Sequence, residues 1–202
     1  MSDHYFSADP GSPERRQSVE VTVWGRRMSL TSASGVFSAG RLDLGTGVLL
    51  RTVEPPTTPG RFLDLGCGYG VIACALALAS DQAEVWAVDV NERALRLCGE
   101  NAAALGVDDR VRAVAPSAVP EDIEFDEIWS NPPIRIGKSA LHDLLLEWLP
   151  RLTPGGHANL VVGRNLGADS LQRWLDDQGY RCQRRASAKG FRVLRATRAS
   201  DR

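Results

Sequence analysis

Phe62-Leu63-Asp64-Leu65-Gly66-Cys67-Gly68-Tyr69-Gly70 is an apolar run that breaks into alternating glycines and passes at once into the helical stretch Val71 to Ala79. Strand, glycine turn and helix in that order make a ligand-binding turn. Glycine lets the backbone approach a ligand closely, and the helix start offers free N–H groups to a carboxylate or phosphate. The next apolar run, Glu84 to Val88, ends in Asp89, about twenty residues past the last glycine, where an acidic side chain can accept both hydroxyls of a ribose. A third run, Phe125 to Trp129, delivers Ser130-Asn131-Pro132-Pro133-Ile134. Two prolines donate no backbone hydrogen bond and fix the direction of the chain, so Asn131 is held rigidly at a strand end. Alone, that tetrapeptide also fits a stiff strand-to-helix turn; beside the glycine loop and Asp89 it completes one edge of one sheet. The nicotinamide fingerprint is not met, because its third glycine would fall at Val71.

Outward from these segments, residues 1–18 mix Ser, Pro, Gly and charge like a flexible arm, although His4-Tyr5-Phe6 suits an arm folded over the domain. Val19 to Trp24 and Met28 to Thr31, joined through Gly25-Arg26-Arg27, alternate as a β-hairpin within 19–34. Asp43 to Val53 is a short helix. Asn91 to Leu105 reads as a helix with Asn91 as N-cap and Leu95, Cys98, Ala102 and Leu105 at helical spacing. Val111 to Val114 is a strand. Leu141, Leu144, Leu145, Trp148, Leu149 and Leu152 form one stripe on a helix from Ser139 to Leu152, which leaves His142 on the surface. Pro154-Gly155-Gly156 ends that element and feeds the strand Ala158 to Val162; a helix from Asp169 to Gln178 follows. Tyr180 to Ala186 and Phe191 to Thr197 close the chain as a hairpin through Ala188-Lys189-Gly190. Alternating strand and helix with an antiparallel ending predicts an α/β domain over 19–198, a mostly parallel, doubly wound sheet with helices on both faces, and a tail at 199–202.

With 202 residues, 43% hydrophobic and 24% charged, the chain can bury a core without crosslinks. Cys67, Cys74, Cys98 and Cys182 form no C-x-x-C pair and sit in apolar runs, so they read as core residues, and a reducing cytoplasm fits. The apolar run Val71 to Ala79 is too short to span a bilayer and the N-terminus lacks a signal-peptide pattern, which predicts a soluble protein without a membrane partner. The net charge of -1 conceals an asymmetry, since Arg181 to Arg202 holds seven arginines and one lysine against one aspartate. Such a segment suits either an anionic partner or an edge hairpin protected against aggregation.

These motifs carry a resemblance. The chain resembles a class I S-adenosylmethionine-dependent methyltransferase of the "methyltransferase small" type, through Gly35-Val36-Phe37-Ser38, Leu42-Asp43-Leu44-Gly45-Thr46, the glycine loop, Asp89, Ser130-Asn131-Pro132-Pro133 and Gly190-Phe191-Arg192-Val193-Leu194. Within that group it is similar to the catalytic half of the ribosomal RNA small subunit methyltransferase C family, which methylates N2 of a guanine in 16S RNA. The resemblance implies a seven-stranded Rossmann-like sheet and S-adenosylmethionine held by Phe37, Asp64, Gly66, Cys67, Gly68, Gly70, Asp89 and Asn131, with no metal. It implies catalysis by Asn131, Pro132 and Pro133, the Asn131 side-chain oxygen and Pro132 carbonyl accepting the two N–H bonds of a base amine. RNA, as 16S rRNA or the small subunit, would then meet Ile134, Arg135, Lys138 and Lys189. A release-factor glutamine or a DNA adenine suits the same Asn-Pro-Pro geometry, and a noncatalytic cofactor-binding module is the reading of another class. Two departures stand out. Related enzymes often place an Asp against the adenine amine where Ala115-Pro116-Ser117 has none, and Ile134 replaces an aromatic that stacks on the base.

Overall fold

A computed structural model describes residues 13–38, 40–132 and 137–198. Strands β1 (Arg16–Val23) and β2 (Arg26–Ala33) form the N-terminal hairpin, followed by helix α1 (Leu44–Thr52). Then come β3 (Gly60–Leu65), α2 (Val71–Ala79), β4 (Ala83–Val88), α3 (Glu92–Ala104), β5 (Val111–Val114), β6 (Phe125–Ser130), α4 (Lys138–Trp148), β7 (Leu152–Gly163), α5 (Ala168–Asp177), β8 (Tyr180–Ala188) and β9 (Phe191–Arg198). The large sheet has seven strands in the order β5-β4-β3-β6-β7-β9-β8. Its first five are parallel, and β9 and β8 join antiparallel. This is the mostly parallel, doubly wound sheet that the alternation of elements predicts, with the seven strands that the resemblance implies.

The chain lays β3, β4 and β5 in one direction across the sheet, then returns to β6 and proceeds the other way. The reversal opens a crevice between β3 and β6 at their C-terminal ends, where open α/β sheets take ligands. The Ser130 hydroxyl donates to the Leu65 carbonyl at 2.7 Å, stitching those two ends together. Both faces of the central strands are buried: Phe62, Val85 and Trp129 pack with β1, β2, α1, α2 and α3, while Leu63, Trp86 and Ile128 pack with α4 and α5. Asn101, buried on α3, exchanges hydrogen bonds with the Thr31 backbone and also donates to the Tyr69 carbonyl, tying the hairpin to the glycine loop. All four cysteines are buried and unpaired. Among the described residues no helix is long and apolar enough to cross a membrane.

Four local expectations are corrected. The first hairpin turns at Trp24 and Gly25 (φ 47° and 76°), one residue earlier than the Gly25-Arg26-Arg27 assignment. The Trp24 indole N–H donates to the Val53 carbonyl and its ring meets Trp129 edge-on, which holds Trp24 in a left-handed conformation unusual for its type. Strand β1 starts at Arg16, inside the stretch assigned to the arm, where Glu14 pairs with Arg16 and Arg96. Helix α4 stops at Trp148 ahead of Pro150, and β7 already begins at Leu152, with Gly155 and Gly156 absorbed in an irregularity of its pairing to β6. His142 is not a free surface group but stacks on Trp174 at 3.8 Å.

Candidate active site

The loop leaving β3 folds back over the end of β4: Gly66 N–H and Cys67 N–H both donate to the Val88 carbonyl, at 2.8 and 3.1 Å. Gly68 N–H donates to Asp89 Oδ2 at 2.9 Å, and Asn91 N–H donates to Asp89 Oδ1 at 3.0 Å. The Asp89 carboxylate is thus held by backbone N–H groups on both oxygens and can still accept from a ligand hydroxyl. Burial raises its pKa, opposed by the N–H groups of Asn91, Gly68 and Val90. Gly68 (φ +55°) has open space where a Cβ would stand, the side from which a ligand can approach the backbone. Gly70 (φ +90°) serves packing instead, because a Cβ there would meet Cys98 Sγ at 2.6 Å.

A cleft open to solvent lies at these strand ends. Val36, Phe37, Val88, Val90, Pro116 and Leu144 wall it, with Gly66, Gly68, Asp89 and Asn131 bordering it. Phe37, 45% exposed, belongs to this mouth and not to the core. A smaller hollow adjoins it, lined by Ser38, Asp43, Thr46, Cys67 and Tyr69 and by Val71 and Ile72 of α2's first turn, which has no side-chain cap. Phe37, Gly66, Gly68 and Asn131 border both. An apolar nucleoside lobe with a ribose acceptor, joined to a small lobe at a helix N-terminus that suits a carboxylate, fits an adenosyl amino acid. At the cleft the indole N–H of Trp148 is buried and has no partner among the described residues.

Asn131 stands where the lobes meet. Its Nδ2 donates to Asp43 Oδ1 at 2.6 Å and to Thr46 Oγ1 at 3.0 Å. A carboxylate can only accept, so the amide nitrogen must face Asp43, and the Asn131 oxygen is left as an acceptor with no donor among the described residues. Asp43 is itself fixed as N-cap of α1, accepting from Thr46 N–H at 3.0 Å.

Comparison with known proteins identifies a family and a fold. The family described as "Methyltransferase small domain" matches residues 27–195. The chain belongs to this family, whose methyl donor is S-adenosylmethionine. It is 32% identical over 198 residues to the uncharacterized protein YbxB of Bacillus subtilis, covering 97% of this chain and 98% of that one. It is 35% identical to the ribosomal RNA small subunit methyltransferase C of Pseudomonas entomophila over 85% of this chain but 51% of that enzyme, so it spans about half the length of such relatives. Among solved structures, the Thermus thermophilus 16S rRNA N2 G1207 methyltransferase in complex with AdoMet and guanosine superposes with a TM-score of 0.79 at 24% identity, covering 92% of this chain and 51% of that one; this establishes the fold.

Of the residues expected from sequence, Phe37, Gly66, Cys67, Gly68, Asp89 and Asn131 come together at the two lobes. Asp64 does not. It is 1% exposed beneath the loop, where Oδ2 accepts from Ala73 N–H at 2.9 Å and so pins the start of α2. Burial, partly opposed by that N–H and reinforced by the charge of Asp89, pushes its pKa up to about 8. Lys138 opens α4 beside a separate hollow with Gly167 and Ser170, and Lys189 sits in the β8–β9 turn; neither lines the cleft. Pro133, Ile134 and Arg135, like His4-Tyr5-Phe6, lie outside the described residues. Sequence reasoning found no sign of a role for Asp43 and Thr46 toward Asn131, did not mark Val90, and marked Leu144 and Trp148 only as members of a helix stripe packed on the sheet. The Asp-x-x-Thr spacing of a helix cap was the signal available for the first pair.

Proposed function

We propose that this methyltransferase acts on an exocyclic base amine of RNA, with N2 of a guanine in 16S rRNA as the acceptor, in the cytoplasm. The observation that carries this reading is Asn131, whose amide nitrogen is consumed by Asp43 and Thr46 so that only its oxygen is offered at the junction of the lobes. When bound, S-adenosylmethionine supplies an already activated methyl group on a sulfonium. The chain's own task is alignment and exclusion of water. The Asn131 oxygen and the Pro132 carbonyl accept the two N–H bonds of the amine, which directs the nitrogen lone pair away from its ring. Phe37, Gly66, Cys67, Gly68 and Asp89 hold the cofactor, with Asp64 and Gly70 fixing the loop from behind. A base inside a duplex could not reach this cleft, so the target is unpaired or flipped. The relatives named ribosomal RNA small subunit methyltransferase C, and the solved structure named as a 16S rRNA N2 G1207 methyltransferase, support the acceptor class.

The test is incubation with labelled S-adenosylmethionine and fractionated cell RNA, protein and DNA, followed by nucleoside analysis. Label recovered as N2-methylguanosine in small-subunit RNA is the expected outcome. Label in protein glutamine or DNA adenine would replace the acceptor, and cofactor binding with no transfer to any fraction would leave a binding module.

A further inference from the structure

Cations are handled differently at the two flanks of the sheet. On the β4–β5 and α3 flank, arginines face carboxylates: Arg16 and Arg96 pair with Glu14 and Glu100, Arg61 with Glu84, and Arg110 with Asp81 and Asp109. On the other flank Lys138, Arg164, Arg184, Arg185 and Lys189 are exposed, and their side chains have no ion pair or hydrogen bond among the described residues. Asp169, which could neutralise this region, is held by Arg192.

These five cations are contiguous. Strand β8 is the edge of the sheet and runs toward the same rim as Asn131, since its partner β9 starts opposite Gly163 at the end of β7. At about 3.3 Å per residue, Arg184 to Lys189 spans roughly 15 Å. The Arg164 backbone N–H donates to the Gly190 carbonyl at 2.8 Å, which sets Arg164 beside the Lys189 turn. Three residues on, a Cβ at Gly167 would lie 3.8 Å from Lys138 Cε, and Lys138 opens the helix that follows Asn131. At the far end of the strands, by contrast, Glu84, Asp122, Glu124 and Asp126 line a hollow. Protection of an edge strand accounts for Arg184 and Arg185 but not for Lys189, Arg164 and Lys138, which are on no strand.

We propose that this row is a docking track for the phosphates of a single-stranded RNA segment flanking the target base, which leads the strand from the β8 edge along the rim to Asn131. The choice of RNA as the anion rests on the function proposed above. The row runs along the rim toward Asn131, where the proposed function puts the target base, and its guanidinium groups suit phosphate.

The experiment compares Arg184→Ala/Arg185→Ala/Lys189→Ala with a control of equal charge, Arg26→Ala/Arg27→Ala/Arg51→Ala, around the first hairpin turn and the end of α1. Binding of a twelve-nucleotide unstructured RNA is titrated at several salt concentrations, with thermal midpoints confirming that both variants fold. The track variant should bind at least tenfold more weakly at low salt and flatten the log–log salt slope by about 2, at roughly 0.7 per phosphate released. In turnover its KM for RNA should rise while kcat holds, and the control should match wild type. Equal losses in both variants would reduce the effect to net charge and overturn the track. So would an unchanged slope in the track variant, or preferential binding of polyglutamate over RNA. If the wild type transfers no methyl group to RNA, the proposed function fails, while the salt slopes still judge the track.

Discussion

The half of the site around the glycine loop and the half around Asn131 are built by different means. The loop half is made of backbone: N–H groups of Gly66, Cys67, Gly68 and Asn91 fix the loop and Asp89 within a few residues of the strand ends that carry them. The Asn131 half is made of side chains, with an amide at the end of β6 locked by Asp43 and Thr46, 88 and 85 residues away in sequence. Backbone sites depend on where glycine is tolerated; side-chain sites depend on partners that meet only in the folded state. The loop half should therefore govern cofactor affinity and tolerate most side-chain changes, while the Asn131 half should govern turnover and tolerate few.

The largest effect expected is from Asn131→Ala, which should leave cofactor affinity near wild type while kcat falls on the order of 10²-fold or more, as when one oriented polar group is lost. Calorimetry with S-adenosylhomocysteine and single-turnover assays would separate the two. Asn131→Asp sharpens the point, because it sets a second carboxylate against Asp43. Adding Asp43→Asn removes that repulsion and keeps an oxygen to cap α1. The double variant should recover activity that Asn131→Asp alone lacks. If it does not, Asp43 is only a helix cap.

Next in size is Asp89→Ala, which should weaken cofactor binding by roughly tenfold to a hundredfold, the loss of a charged acceptor. Here kcat at saturation should hold. A fall in kcat with unchanged affinity would erase the contrast between the halves.

The same contrast explains what could be read beforehand. Helix α2 falls at Val71 to Ala79 as its apolar run indicates, and β3, β4 and β6 end at Leu65, Val88 and Ser130, because strand ends and glycine turns are written in neighbouring residues. The lock on Asn131 was hidden because Asp43 and Thr46 read locally as a helix start. Trp24 in a turn was hidden too, since only its bonds to Val53 and Trp129 make that conformation tolerable. Asp64 was misread for the opposite reason. Its place at a strand end resembles that of Asp89, but the structure buries it.

Asp64 gives a smaller effect with a defined sign. Its folded pKa of about 8 lies above the ordinary carboxylate value, so between about pH 4 and 8 the folded chain keeps a proton that the unfolded chain releases. That contribution to stability is lost as pH rises through this window and levels off above it. Asp64→Asn, which keeps an acceptor for Ala73, should remove the loss. The variant's thermal midpoint should gain on wild type from pH 5 to pH 8, with cofactor affinity within about twofold. A difference in midpoint that stays constant across this range would show that Asp64 is ionised when buried.

Trp148→Phe should give the smallest effect and one that tests the loop half from within. The substitution keeps an aromatic ring between Phe125 and Arg151 but removes one ring of the indole together with an N–H that is buried without a partner at the cleft. Relief of the unsatisfied donor, about 1–3 kcal/mol, opposes the cost of the cavity that the smaller ring leaves, so the cofactor-free variant should stay near wild-type stability. If a cofactor atom accepts from that N–H, affinity for S-adenosylhomocysteine should nonetheless fall by roughly fivefold, the worth of one neutral hydrogen bond of about 1 kcal/mol. Weaker affinity at unchanged stability would distinguish a ligand contact from a packing change, which would move both together. Unchanged affinity would leave adenine recognition to backbone groups around Pro116 and Ser117, and the loop half would then be a backbone site throughout.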